Sequence, residues 1–168
     1  MQAETLLSLP PGVTITKYSV LNDTLYLLLT STSSLAHCPV CKTPSAAQHS
    51  SYYRGFRDVP CGDYPLRIRL RTRRFFCRQE ACARRIFTER FPFFLLPRAR
   101  MTERFRKAML ALSATTAHEA AQRLACLVHL PTSVTTLRRQ LGRQQPAVLA
   151  EPTKIGLDDF AFLDTLPG

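Results

Sequence analysis

Four cysteines in two pairs constrain this chain more than any other feature of it. Cys38-Pro-Val-Cys41 opens the span and Cys77-Arg-Gln-Glu-Ala-Cys82 closes it, with two and four residues inside the pairs and 35 between them. Each short spacer lets a pair wrap an ion from a single turn, and the long spacer supplies a returning strand. The arrangement suits one tetrahedral zinc ion held by four thiolates at about 2.3 Å. Six cysteines can also make three disulfides, but the paired spacing argues against that use. His37 and His49 are substitute ligands in principle; beside a complete cysteine quartet they read as bystanders. Cys61 and Cys126 stand outside the pairs and read as buried small apolar residues.

Charge is the second constraint. The 168 residues carry a net +11, and the excess is concentrated: residues 37–145 hold 21 Lys/Arg against 6 Asp/Glu. A basic middle of that kind is the footprint of a polyanion binder, nucleic acid first. The start of the chain, Met1-Gln-Ala-Glu-Thr-Leu-Leu-Ser-Leu-Pro10, has no basic leader, and no apolar run approaches the roughly 18 residues of a membrane span. The expectation is a cytoplasmic, nucleoid-associated protein with reduced cysteines and no membrane partner.

The local patterns predict an α+β chain: a small β-rich, zinc-ribbon-like finger, then a three-helix helix-turn-helix domain, then an isolated strand. Val13 to Val20 and Leu25 to Thr32, joined by Asn22-Asp23, predict a β-hairpin. A polar loop is expected from Lys42 to Ser51. Leu66 to Arg73 alternates strictly, placing Leu66, Ile68 and Leu70 on one face and Arg67, Arg69, Arg71 and Arg73 on the other. Such a like-charged row is either a solvated face or a phosphate contact, with Arg71, Arg73 and Arg74 as candidates. Phe87, Phe91, Phe93 and Phe94 read as core rather than base-stacking platforms.

From Met101 to Ala114 the spacing of Phe105, Met109 and Leu112 predicts a helix entered at Thr102. Thr116-Ala-His-Glu119 predicts a capping box for a second helix, with Ala117, Ala120, Ala121, Leu124 and Val128 as its inner stripe. His129 occupies a left-handed position in the break that follows. Ser133 caps a third helix, Val134 to Gly142, whose Val134, Leu137 and Leu141 face inward. Ser133, Thr135, Thr136, Arg138, Arg139 and Arg143 are then left for DNA contact, because such a helix fits the major groove of a duplex. Domain bounds follow as 1–97 for hairpin and finger, 98–145 for the helices, 146–154 for a linker and 155–168 for a final strand. That strand carries Asp158 and Asp159, a weak signal for a metal-assisted phosphoryl-transfer site.

The order of these parts resembles the bacterial insertion-sequence transposases of the IS-L-three family. The resemblance rests on Cys38-Pro-Val-Cys41, Arg57-Asp-Val-Pro60, Arg73-Arg-Phe-Phe-Cys77, Cys82-Ala-Arg-Arg-Ile-Phe-Thr-Glu89, Ser133 with Thr136 and Arg139, and Ile155-Gly-Leu-Asp-Asp-Phe-Ala161. It implies structural zinc on Cys38, Cys41, Cys77 and Cys82, and finger and helices gripping double-stranded transposon ends at their terminal repeats. It also implies that 155–168 begins an RNase H-like domain, with Asp158 as the first catalytic carboxylate. Magnesium would enter only if a complete catalytic domain is supplied. Leu163-Asp-Thr-Leu-Pro-Gly168 departs from the family, and the expectation is a truncated transposase without strand transfer of its own. Alternatives are a DNA-binding repressor or inhibitor of a full-length transposase, and a zinc-ribbon protein-interaction module. A second copy or the full-length transposase are the protein partners these readings imply.

Overall fold

A computed structural model of the protein describes residues 7–115, 117–130 and 132–142. Seven strands and three helices are present among them: β1 Val13–Leu21, β2 Thr24–Ser31, β3 Ala36–His37, β4 Pro44–Ser45, β5 Gln48–Cys61, β6 Tyr64–Phe76 and β7 Ile86–Thr88, then α1 Glu103–Thr115, α2 His118–Leu127 and α3 Val134–Leu141. The first four large strands form one sheet in the order β1-β2-β6-β5, with β7 also paired to β6, while β3 and β4 make a separate two-stranded ribbon. No described helix is long and apolar enough to cross a membrane.

The predicted β1–β2 hairpin is present, and its turn residues Asn22 and Asp23 both take positive φ, 47° and 52°. Two consecutive left-handed residues match the twist of the flanking strands, which is why Asn and Asp serve there. β2 runs parallel to β6, pairing Leu25 to Thr30 with Leu66 to Arg71. The polar loop expected from Lys42 to Ser51 is a correction: β4 lies within it and β5 begins at Gln48. β5 has little apolar alternation and contains Gly55 and Pro60, so its extended state comes from antiparallel pairing with β6 along almost its whole length.

β6 alternates as its sequence predicts, with Leu66, Ile68 and Leu70 buried and Arg67, Arg69 and Arg71 exposed. Beyond Thr72 the buried side changes. Phe75 falls on the arginine side of the pleat, yet it is 1% exposed. One strand therefore serves two cores on opposite faces. The first gathers Leu27, Leu29, Phe56, Ile68, Leu70, Phe91, Phe94 and Leu95. The second holds Ala36, Phe75 and Phe87 around Cys38, Cys77 and Cys82. Phe87, Phe91 and Phe94 are core as expected; Phe93 is not, being 94% exposed at φ 64°.

The helices bury a third core of Phe105, Met109, Ala121, Ala125, Leu130 and Leu137. Thr102 enters α1 as expected, its hydroxyl accepting from Phe105 N at 3.2 Å. The inner stripe of α2 differs from the sequence reading. Ala121 and Ala125 are buried, whereas Leu124, Leu127 and Val128 are exposed. The cause lies at the helix end. His129 adopts φ 53°, as expected, and the chain doubles back so that Leu130 N bonds Ala125 O and its side chain fills the core in place of Val128. The capping box is also revised: α2 starts after Ala117, without a side-chain cap, and Glu119 reaches Arg138 at 3.3 Å instead of turning back. Thr116 lies outside the described residues.

Sheet and helices are joined at one buried carboxylate. Asp58, 1% exposed on β5, accepts from Thr102 Oγ1 at 2.5 Å, from Arg104 Nε and Nη2 at 2.7 Å each, and from Val59 N at 2.8 Å. Alongside, Arg57 N donates to Arg100 O and Thr102 N donates to Arg57 O, so the approach to α1 runs as a strand against the β5 edge. At the far end of the β5–β6 hairpin, Asp63 stands 4.0 Å from His129 in the α2–α3 turn. The hairpin thus spans the distance from metal core to helical core.

Candidate metal centre and nucleic-acid interface

The four predicted sulfurs come together. Cys38 and Cys41 flank a tight turn in which Lys42, at φ 62°, donates its N–H to Cys38 O while Cys38 N donates to Thr43 O. The β3–β4 ribbon closes the base of that turn. Cys77 leaves the end of β6 with its N–H on Arg85 O, and Cys82 follows a second turn, its N–H on Gln79 O. The Sγ atoms are 3.9 Å apart for Cys38 and Cys82 and 3.5 Å for Cys41 and Cys77, and all four lie within 4.8 Å of one another. A ZnS4 tetrahedron with bonds of about 2.3 Å has edges of about 3.8 Å, so the sulfurs fit one zinc ion with small adjustments. These separations exceed a disulfide bond of about 2.05 Å, and all six cysteines are free.

The electrostatics agree with a cation site. Hydrogen bonds from the Thr43 hydroxyl and amide, and from Cys77 and Cys38, hold the Cys41 thiol down at about 6. Cys77 is pushed up to about 12: the Gln79 amide lowers it, but burial and the thiols of Cys41, Cys38 and Cys82 outweigh that. Hydrogen bonding thus favours the thiolate at Cys41, while burial and the neighbouring sulfurs disfavour a second one at Cys77. Four thiolates this close require the charge of a metal ion. His37 is exposed, and His49 bonds Ser50 at 2.8 Å and packs edge-on against Phe76, so neither belongs to the cluster. Cys61 and Cys126, expected to be buried, are exposed instead; one sits by the hairpin tip and the other on the outer side of α2.

The cationic candidates separate into three situations. Arg67, Arg69 and Arg71 face outward; Arg69 lies 5.2 Å over the Tyr53 ring, and Arg71 Nε donates to Ser51 Oγ at 3.3 Å. Arg74 is exposed on the opposite side of the pleat, 4.9 Å over Tyr52. Arg73 is committed elsewhere. Its guanidinium donates to Glu89 Oε2 from Nε at 3.2 Å and Nη2 at 2.8 Å and to Ser31 Oγ at 2.8 Å, while Glu89 Oε1 accepts from Arg73 N at 2.7 Å. Glu89 is 5% exposed, so this clamp fixes β7, and with it the metal core, to β6.

On α3, Ser133 caps the helix through Thr136 N at 3.3 Å and also contacts Thr136 Oγ1 at 3.0 Å. Leu137 and Gln140 are buried, Val134 and Leu141 half-buried, and Thr135, Arg138 and Arg139 exposed. The Arg138–Glu119 pair is exposed on both sides, and such pairs contribute about 0–1 kcal/mol, so it holds Arg138 only loosely. Arg143 and Asp158, with the linker and final strand, lie outside the described residues. Three residues that sequence reasoning passed over organise the site: Asp58, Glu89 and Arg57. The first two lie in the stretches Arg57-Asp-Val-Pro60 and Cys82 to Glu89, where an acid among bases is the one available signal. Arg57 sits with its guanidinium 5.2 Å over Phe105, and burial, then Arg67 and Arg139, lower its pKa.

Comparison with curated proteins and with solved structures gave no match. Residues 34–82 match the family model of the zinc-finger of transposase IS204/IS1001/IS1096/IS1165, and the match contains all four clustered cysteines. That stretch is therefore a zinc-ribbon segment of the kind carried by these insertion-sequence transposases, with a four-cysteine site built for structural zinc.

Proposed function

We propose that this protein is the DNA-recognising part of an insertion-sequence transposase, binding the terminal repeats of its element as duplex. In this reading α2, the His129 turn and α3 form a helix-turn-helix, and α3 enters the major groove. The observation that carries it is the division of α3. Leu137 is fully buried beneath a Ser133-capped first turn, while Thr135, Arg138 and Arg139 are exposed. A helix seated that way presents guanidinium groups, each of which can hold guanine O6 and N7 together. The zinc ribbon braces it from a distance, through the β5–β6 hairpin and Asp58. Ser133 and Thr136 belong to the helix start, where side chains meet phosphate or base edges. Arg71 and Arg74 are assigned to phosphate, and Arg73 to holding β7.

The test is binding of the zinc-loaded chain to terminal-repeat duplex against a scrambled duplex. Arg138→Ala with Arg139→Ala should cost about 1–3 kcal/mol per lost base contact and narrow the preference between the two sequences. Wild-type affinity that is equal for both duplexes at every salt concentration would reject sequence recognition. A chain that binds protein partners tightly and no DNA would favour the interaction-module alternative.

A further inference from the structure

The open face of the sheet, opposite the first core, carries no covering element among the described residues. Strand register lays it out in rows. Lys17, Leu28, Arg69 and Gly55 stand side by side across β1, β2, β6 and β5, and Ser19, Tyr26, Arg67 and Arg57 form the next row toward the hairpin tip. Arg71 beside Tyr53 begins the row on the other side. None of these rows contains a carboxylate. The two buried acids beside β6 are both taken: Asp58, opposite Leu66, by Arg104 and Thr102, and Glu89 by Arg73. Like charges in adjacent rows repel one another and favour an anion laid across them.

Three features say what kind of anion. Successive arginines on β6 are two residues apart, about 6.6 Å. Consecutive phosphates of one duplex strand, about 3.4 Å apart along the axis and turned around it, are separated by about the same distance, so a backbone can follow the row in step. The Tyr53 ring, which would otherwise offer a stacking surface for an unpaired base, is covered by the Arg69 guanidinium at 5.2 Å. That contact orients a cation toward solvent and speaks for phosphate over base stacking. Finally the rows do not end at the sheet. Arg57 lies opposite Arg67, reaches over Phe105 of the helical core, and feels the charge of Arg139 on α3.

We propose that the open sheet face, through Lys17, Arg67, Arg69 and Arg71, is a phosphate-contacting surface that holds the same DNA duplex that α3 reads, the two surfaces adjoining where Arg57 packs over the helical core. This rests on the DNA reading above. It extends the footprint along the backbone beyond the half-turn that α3 spans, and it contributes affinity without sequence preference.

The test uses the full zinc-loaded chain and fluorescence anisotropy with terminal-repeat and scrambled duplexes over a salt series. Arg67→Gln, Arg69→Gln and Arg71→Gln together should weaken binding to both duplexes by a similar factor. The slope of log K against log salt should become shallower by about 2.7, the value for three lost phosphate contacts. Gly55 supplies a second arm that leaves every arginine in place. A Cβ built there meets nothing within 4 Å, so the site accepts a side chain. Gly55→Glu should weaken duplex binding well beyond Gly55→Gln, because only the former sets a carboxylate beside Arg69 on the face. Salt slopes unchanged in the triple variant, or equal affinities for the two Gly55 variants, would overturn the proposal. So would a loss confined to single-stranded DNA or RNA. If the wild-type chain binds no duplex, the DNA reading itself fails; if Arg138→Ala/Arg139→Ala loses recognition while the sheet variants bind normally, this inference fails alone.

Discussion

Asp58→Ala is expected to be the most destabilising single substitution in the described part of the chain outside the metal ligands. The carboxylate is fully buried and accepts four hydrogen bonds: one from the Thr102 hydroxyl, two from the Arg104 guanidinium and one from the Val59 amide. Removing it leaves Arg104, whose side chain is 28% exposed, facing a cavity without its counter-charge. Breaking a buried pair in this way costs about 3–5 kcal/mol, comparable to much of the stability of a small domain. The loss should appear as a lower unfolding midpoint and as faster hydrogen exchange at Arg57, Thr102 and Phe105, the amides that tie the β5 edge to the start of α1. Arg104→Ala should lose a similar amount, and the double variant should lose less than the sum of the two. Additive losses, or a midpoint shift equal to that of a surface substitution, would show that the junction does not depend on this carboxylate. The functional consequence is specific. Cutting this tie uncouples α3 from the sheet, so under the DNA-binding function proposed above the affinity for duplex should fall more than zinc content does.

The larger effect is expected from the metal. Structural zinc in finger peptides supplies roughly 10–16 kcal/mol of apparent folding energy at neutral pH, more than a small domain possesses in total. Here the reason is visible in the second core. Three of its six buried residues are cysteine ligands, and only Ala36, Phe75 and Phe87 remain to hold β3, β4 and β7 together. The Phe75–Phe87 stack, with centroids 6.0 Å apart, is too small a nucleus for three strands of two or three residues each. A strong chelator, or Cys77→Ser, should therefore melt the ribbon while leaving the helical core, which shares no residue with it, largely intact. Metal analysis should find one zinc per chain before treatment, and circular dichroism should then lose β signal before helical signal. Acidification acts in the same direction, since protons compete with zinc for four thiolates and metal is released as pH falls. Retention of full sheet structure after the metal is stripped, or Cys38–Cys41 or Cys77–Cys82 disulfides in freshly purified protein, would refute the assignment.

The parts legible in advance were those whose cause is local. Two cysteine pairs with short spacers can wrap one ion whatever surrounds them, so the metal site could be named from spacing. Strict alternation from Leu66 to Arg71 imposes a two-faced strand, Asn22-Asp23 accepts the left-handed turn, and Ser133 caps the helix it precedes. Each is a property of a few neighbouring residues. The comparison with known transposase zinc-fingers agrees over 34–82, where that local signal is densest.

What the sequence could not decide was which of two equally polar or equally apolar faces would be covered. β5 has no pattern of its own and is extended because β6 pairs with it. Phe75 lies on the arginine side of β6 and is buried only because the metal core happens to close over that end. Leu124 and Val128 lose their place to Ala125 and Leu130 because His129 reverses the chain one step earlier than helical periodicity assumes. Arg73 is indistinguishable from Arg71 in sequence, yet Glu89, sixteen residues on, takes one and leaves the other to solvent. Asp58 likewise acquires its role from Thr102 and Arg104, more than forty residues away. Spacing, pleat and capping are short-range and travel with the chain itself. Burial and charge pairing are long-range, and only the folded arrangement of sheet, ribbon and helices settles them.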